Sequence, residues 1–291
     1  MTLRLVESVV PPERPVMVIS LEGWIDAGFA AATASGALLS TMGTELYGAF
    51  DADHLLDQRA RRPRMTIDHG VITNIAWPEP TIRVGSDRLG NGVVLLVGPE
   101  PDYRWREFVG EVVSLASRMQ CRYVVGLGGF PAATPHTRPV RLAATATDPQ
   151  LAAKVGFVSG TIEAPAGVAD VIVSGCAEAG LQALGLWARV PHYVSAMPFA
   201  PASLALLEGL ESLSGLSFDL KELRESADQS REKVDHLIAQ SSEHVDMVRQ
   251  LEEQAEDASE PTIEPGTLQQ GLPSGDELAA ELERFLRGEM Q

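Results

Sequence analysis

The chain has 291 residues, 45% of them hydrophobic, and a formal net charge of −17. That length and composition supply a sizeable core, in one large α/β domain with appendages or in two domains. An acidic chain repels phosphate backbones, which argues against nucleic acid as a partner.

In chain order, Met1-Thr-Leu-Arg-Leu-Val-Glu7 lacks the apolar core of a secretory leader, and no later run approaches the ~18 apolar residues of a membrane span. Val16-Met-Val-Ile-Ser-Leu21 reads as a buried strand. Glu22-Gly-Trp-Ile-Asp-Ala-Gly28 leads into a helix of small residues from about Ala27 to Leu39, with Asp26 as its N-cap. Thr44–Phe50 reads as a strand. Met65–Trp77 is a strand–turn–strand pattern around Asp68-His-Gly70, which Thr81–Val84 extends. Val93–Gly98 is a second buried strand. The helix from Tyr103 to Met119 places Phe108, Val112, Leu115 and Met119 on one stripe.

Arg122–Gly126 reads as the central strand, delivering a Gly-rich loop to the carboxyl edge of the sheet, where open α/β sheets build sites. Short strands are expected near Arg141–Thr145 and Gly156–Gly160, and a buried helix over Gly167–Gly180. Leu186–Val194 is the last core strand, and Pro201–Leu213 a further helix. Alternating strands and helices imply a mostly parallel sheet between helical layers, with an antiparallel hairpin insert around 65–85.

From residue 219 the composition changes: residues 219–291 carry 19 acidic against 7 basic side chains. The expected organisation is an α/β core over 1–218 and a helical hairpin over 219–256, with helices at about 219–240 and 243–256. A linker over 257–275 and a C-terminal helix within 276–291 follow.

The candidate chemistry has two readings at each place. Glu22 and Asp26, flanking Gly23-Trp24, offer an acid–base pair, or a helix cap beside an Arg-bound carboxylate. Arg59, Arg61, Arg62 and Arg64 form an anion site of guanidinium forks, or a solvated loop. Gly126-x-Gly-Gly129 brings backbone N–H groups against an anion, or makes a tight turn. It matches neither Gly-x-Gly-x-x-Gly nor the P-loop, so a nucleoside triphosphate is not expected. His136, Thr137 and Arg138, held between Pro135 and Pro139, supply a proton shuttle, a hydroxyl and a fork, or merely pair with carbonyls and acids. His192 joins the same edge, or is a satisfied core histidine.

The candidate ligand-binding set is therefore Glu22, Trp24, Asp26, Arg62, Gly128, Gly129, His136, Thr137, Arg138 and His192. No catalytic residue is assigned, because no nucleophile elbow of the Gly-x-Ser-x-Gly type occurs. Cys121 and Cys176 fit no ligand spacing and read as two reduced, buried thiols, so neither metal nor cofactor is expected.

Several of these motifs together resemble the proteasome assembly chaperone family of the second type, in its actinobacterial branch. They are Glu22–Gly28, Asp57-Gln-Arg-Ala-Arg-Arg-Pro63, Gly128-Gly-Phe130, Pro135–Pro139, Val190-Pro-His-Tyr193 and Leu272-Pro-Ser-Gly-Asp-Glu-Leu278. The resemblance covers about residues 10–287. It implies a three-layer αβα fold of the nucleoside-phosphorylase and peptidyl-tRNA-hydrolase class. It also implies a cytoplasmic homo-oligomer, such as a trimer, that binds proteins such as proteasome subunits without catalysis. Relatives dock through a hydrophobic–Tyr–any-residue tail; the ending Gly288-Glu-Met-Gln291 carries none, so docking through such a tail is not expected. The competing expectation is an enzyme or sensor of a small anionic or nucleoside-like ligand, which requires Glu22, His136, Arg138 and His192 to converge on one pocket.

Overall fold

The strands are β1 (Leu3–Leu5), β2 (Val16–Glu22), β3 (Glu45–Phe50), β4 (Arg64–Asp68), β5 (Val71–Ala76), β6 (Thr81–Ser86), β7 (Gly92–Pro99), β8 (Tyr123–Ala132), β9 (Leu142–Ala146) and β10 (Ala183–Pro191). The helices are α1 (Ala30–Thr41), α2 (Ala52–Leu55), α3 (Trp105–Arg118), α4 (Pro149–Val155), α5 (Val168–Glu178), α6 (Ala200–Ser214), α7 (Lys221–Ile238) and α8 (Ser242–Asp257). These come from a computed structural model that describes residues 2–23, 25–158 and 160–257. Trp24 and the expectations for residues 258–291 lie outside the described residues. Met1–Phe157 and Pro165–Asp257 belong to one compact unit, and residues 158–164 to a second.

Eight strands form one sheet in the order β1-β3-β6-β7-β2-β8-β10-β9. The four central strands, β7, β2, β8 and β10, are parallel, and they are the long apolar runs of the sequence because both of their faces are covered. The outer strands pair antiparallel. Alternation along β2 divides the core in two: Val16 and Val18 face the layer of α1 and α6, while Met17 and Ile19 face the layer of α3 and α5. Helix α7 packs on the α6 side through Leu223, Ala227 and Val234. The result is the three-layer αβα arrangement.

Several local expectations change. β8 does not end at Gly126; it runs to Ala132, in register with β10 through Gly128 and Gly129, so the glycine run is strand rather than loop. Residues 156–158 form no strand; Gly156, at φ 102°, instead ends α4. Thr81–Ser86 joins the main sheet beside β3 and β7 and does not extend the hairpin. That hairpin, β4–β5, is a sheet of its own, and every one of its residues is exposed.

A β-bulge shapes the hairpin. Thr66 pairs with Asn74 but Ile67 pairs with Ile72, leaving Thr73 as the extra residue. The slip brings Ile72 and Ile75, three apart in sequence, to the same face as Met65 and Ile67. Trp77 follows, also exposed.

Candidate functional site

The carboxyl ends of the parallel strands gather most of the candidate residues. Glu22 ends β2 with its side chain in solvent, and its backbone carbonyl accepts from the Glu100 N–H at 2.7 Å. Glu100, which sequence reasoning missed, is buried there, and its Oε1 accepts from the Val168 N–H at 2.5 Å, satisfying the first turn of α5. Gly23 makes room for it: a Cβ at Gly23 would lie 2.0 Å from Glu100 Oε2. Asp26 returns to pair with Gly129, and its two oxygens accept from the Ala31 and Ala32 N–H groups at 2.8 and 2.9 Å. Burial pushes the Asp26 carboxyl above its ordinary pKa, against the pull of these backbone bonds. Asp26 thus serves the N-terminus of α1, and Glu22 has no part in that bond set.

Gly28 and Phe29 both adopt the left-handed conformation, which splits the expected helix into a 3₁₀ turn (Ala27–Phe29) and α1. The Gly28 N–H donates to the Ser195 carbonyl at 2.7 Å, and the Phe199 N–H donates to the Gly28 carbonyl at 2.9 Å, tying this turn to the segment after β10.

The second cluster centres on His136, which is 3% exposed. Its Nδ1 lies 2.7 Å from Tyr193 Oη, its Nε2 2.9 Å from Asp235 Oδ1, and its backbone N–H donates to the same Tyr193 oxygen at 2.8 Å. All of these groups are satisfied when Tyr193 donates to Nδ1 and Nε2–H donates to Asp235. Burial above all keeps the Tyr193 hydroxyl protonated, its pKa pushed up to about 12. Thr137 Oγ1 donates to Glu252 Oε1. His136 therefore fastens the β8 loop to α7, and Thr137 fastens it to α8. His192 is exposed, its ring set edge-on to Tyr193 at 5.3 Å. Arg138 is exposed on the same loop.

Arg62 stands apart, exposed ahead of the β4–β5 hairpin, while its neighbour Arg61 pairs with Asp102 at 3.2 Å. Gly128 and Gly129 lie within β8 with neighbours too close for any side chain, Trp187 in one case and the Ala27 carbonyl in the other. Two surface hollows, of about 350 and 110 Å³, are lined by α3 residues with Leu3 and by residues around Asp87. Neither includes Glu22, His136, Arg138 or His192. Among the described residues, no group of three His, Cys, Asp or Glu side chains is placed to hold a metal ion.

The sequence model of the PAC2 family matches residues 20–238, from within β2 to the last residue of α7. The chain belongs to the PAC2 family. Three solved structures are similar over most of its length. A PAC2 family protein from Streptomyces avermitilis shares 38% identity at a TM-score of 0.71, covering 80% of this chain and 99% of that one. A proteasome-assembly chaperone homologue from Mycobacterium tuberculosis shares 33% at 0.74, with coverage of 80% and 99%. A protein of unknown function from the same organism shares 32% at 0.82, with coverage of 88% and 89%. No curated protein sequence matches. Among the described residues, no helix of this PAC2 chain is long and apolar enough to cross a membrane.

Proposed function

We propose that this PAC2 protein is a non-catalytic, cytoplasmic protein-binding factor that works as a homo-oligomer, with three copies the assembly implied by its resemblance to the family. The observation that carries this reading is the β4–β5 hairpin, whose one face offers Met65, Ile67, Ile72 and Ile75 to solvent. A two-stranded hairpin is marginal in water by itself, and a contiguous apolar face calls for a protein cover. A second copy is the cover favoured here, because the exposed Arg59, Arg62 and Arg64 lead into the hairpin while α8 carries six acidic residues against one basic. Opposite charges on one chain suit a head-to-tail contact that closes into a ring. The similarity to a proteasome-assembly chaperone homologue supports proteasome subunits as the protein partner. The sheet edge supports the same reading, since His136 and Thr137 are engaged with α7 and α8.

Light scattering after gel filtration tests this on the full chain and on an Ile67→Asp/Ile72→Asp variant. Both positions are exposed, so the fold tolerates the change. The expected result is an oligomer for the parent and a monomer for the variant, with proteasome subunits in the native co-purified fraction of the parent. A monomeric parent without protein partners overturns the reading.

A further inference from the structure

The sheet face turned toward α3 and α5 carries a second feature, independent of the hairpin. Along β10, Leu184, Leu186, Ala188 and Val190 face the α1–α6 layer, so Gly185, Trp187 and Arg189 face the other way. Register sets Gly126, Gly128 and Phe130 of β8 beside those three residues. On the opposite side Ala188 pairs with Leu142, and one step on the Arg189 N–H donates to the Arg141 carbonyl at 3.0 Å. Arg189 and Arg141 are thus opposed across the end of an antiparallel ladder, where like charges repel.

Neither guanidinium has an acidic partner among the described residues, and Arg189 is only 8% exposed with a buried Nε that makes no hydrogen bond. A buried, unpaired charge is costly. Acids are not scarce in a chain of net charge −17, so the lack of a counter-charge among the described residues does not follow from composition. Burial, and then the neighbouring Arg141, lower the Arg189 pKa from its ordinary value. Trp187, two residues before Arg189, is on the same face of β10. Its ring occupies the track left by Gly128 and Gly185, where a Cβ would come within 2.4 and 2.8 Å, and its indole N–H donates to Thr145 Oγ1 at 3.1 Å. The ring is thereby held against the sheet, on the same face as Arg189 and toward Gly185.

We propose that Arg189 and Arg141 form an oxyanion-binding site, which takes a carboxylate or phosphate group between two guanidinium forks. Planar forks match both groups, and one oxyanion relieves the repulsion and supplies the absent hydrogen-bond acceptor together.

Thermal unfolding of the full chain tests the site, with inorganic phosphate and succinate as probes against chloride at equal ionic strength. Saturating probe is expected to raise the parent Tm by about 2–5 °C. Arg189→Met and the exposed Arg141→Ala are each expected to lose that shift, while Arg88→Ala keeps it. In chloride alone, Arg189→Met is expected to equal or exceed the parent Tm, because it removes a buried charge that has no acidic partner among the described residues. A shift with succinate only assigns a carboxylate ligand; a shift with phosphate only assigns a phosphoryl group. No shift with either probe, or an equal shift in the parent and in Arg141→Ala, overturns the proposal, and the second outcome does so even if Arg189→Met fails to fold.

Discussion

At the scale of single residues, the glycines of β8 are packing positions with distinct tolerances. A Cβ at Gly129 would lie 2.6 Å from the Ala27 carbonyl oxygen, a backbone atom that cannot swing aside. At Gly126 the nearest atom is the Ala169 Cβ at 3.6 Å, an ordinary contact. Gly129→Ala is therefore expected to destabilise by about 1–3 kcal/mol, since the Ala27–Phe29 turn must move. Gly126→Ala is expected to be neutral or slightly stabilising, because alanine restricts the unfolded chain. Urea midpoints of the two variants check this, and equal losses would reject the packing account. The same positions explain a misreading of the sequence. Gly-x-Gly-Gly after an apolar run suggests a turn on local grounds. What keeps it a strand is Trp187 and the Ala27 turn, both distant in sequence.

At the scale of elements, the attachment of α7 and α8 rests on a few polar bonds added to the apolar seam. His136 and Asp235 are 99 residues apart and Thr137 and Glu252 are 115 apart, so no local pattern could reveal either pair. The helices were legible from the change of composition at residue 219, although α7 has Leu220 at its N-cap with no side-chain bond, and the hairpin from its strand–turn–strand pattern; the bulge that collects its apolar side chains was not. Short α2 and α4 escaped notice because so few residues carry no periodicity. The attachment makes its own prediction. Asp235→Ala strands the buried Nε2–H of His136, and an unsatisfied buried donor costs about 1–3 kcal/mol. Glu252→Gln keeps an acceptor for Thr137 at an exposed site and is expected to cost less than about 0.5 kcal/mol. Amide hydrogen exchange is expected to quicken in α7 and α8 of Asp235→Ala while the central strands keep their protection. Uniform loss of protection would mean that the helices are no separate unit of stability.

At the scale of the whole molecule, the two thiols read the integrity of the core on the α3–α5 side. Cys121 and Cys176 are free and buried there, and burial pushes their pKa values up to about 12 and about 11 from 9.0. A thiol is neutral when protonated, so a raised folded-state pKa favours the folded form as long as the unfolded chain also keeps its protons. That contribution is complete below about pH 9 and is lost as pH rises through 11 to 12. Tyr193 adds a loss of the same sign above pH 10, its ordinary value. Urea midpoints are therefore expected to stay level from pH 7 to 8.5 and then fall, by up to about 1.4 kcal/mol per pH unit for each group titrating only in the unfolded chain. Cys176→Ala is expected to lower stability at neutral pH through the lost packing, yet to flatten the alkaline decline. Below pH 9 a thiol reagent is expected to modify either cysteine only through opening of the core, so its rate follows the unfolding equilibrium. Rapid labelling of native protein at pH 8 would place a thiol at the surface and reject the burial on which the alkaline slope depends.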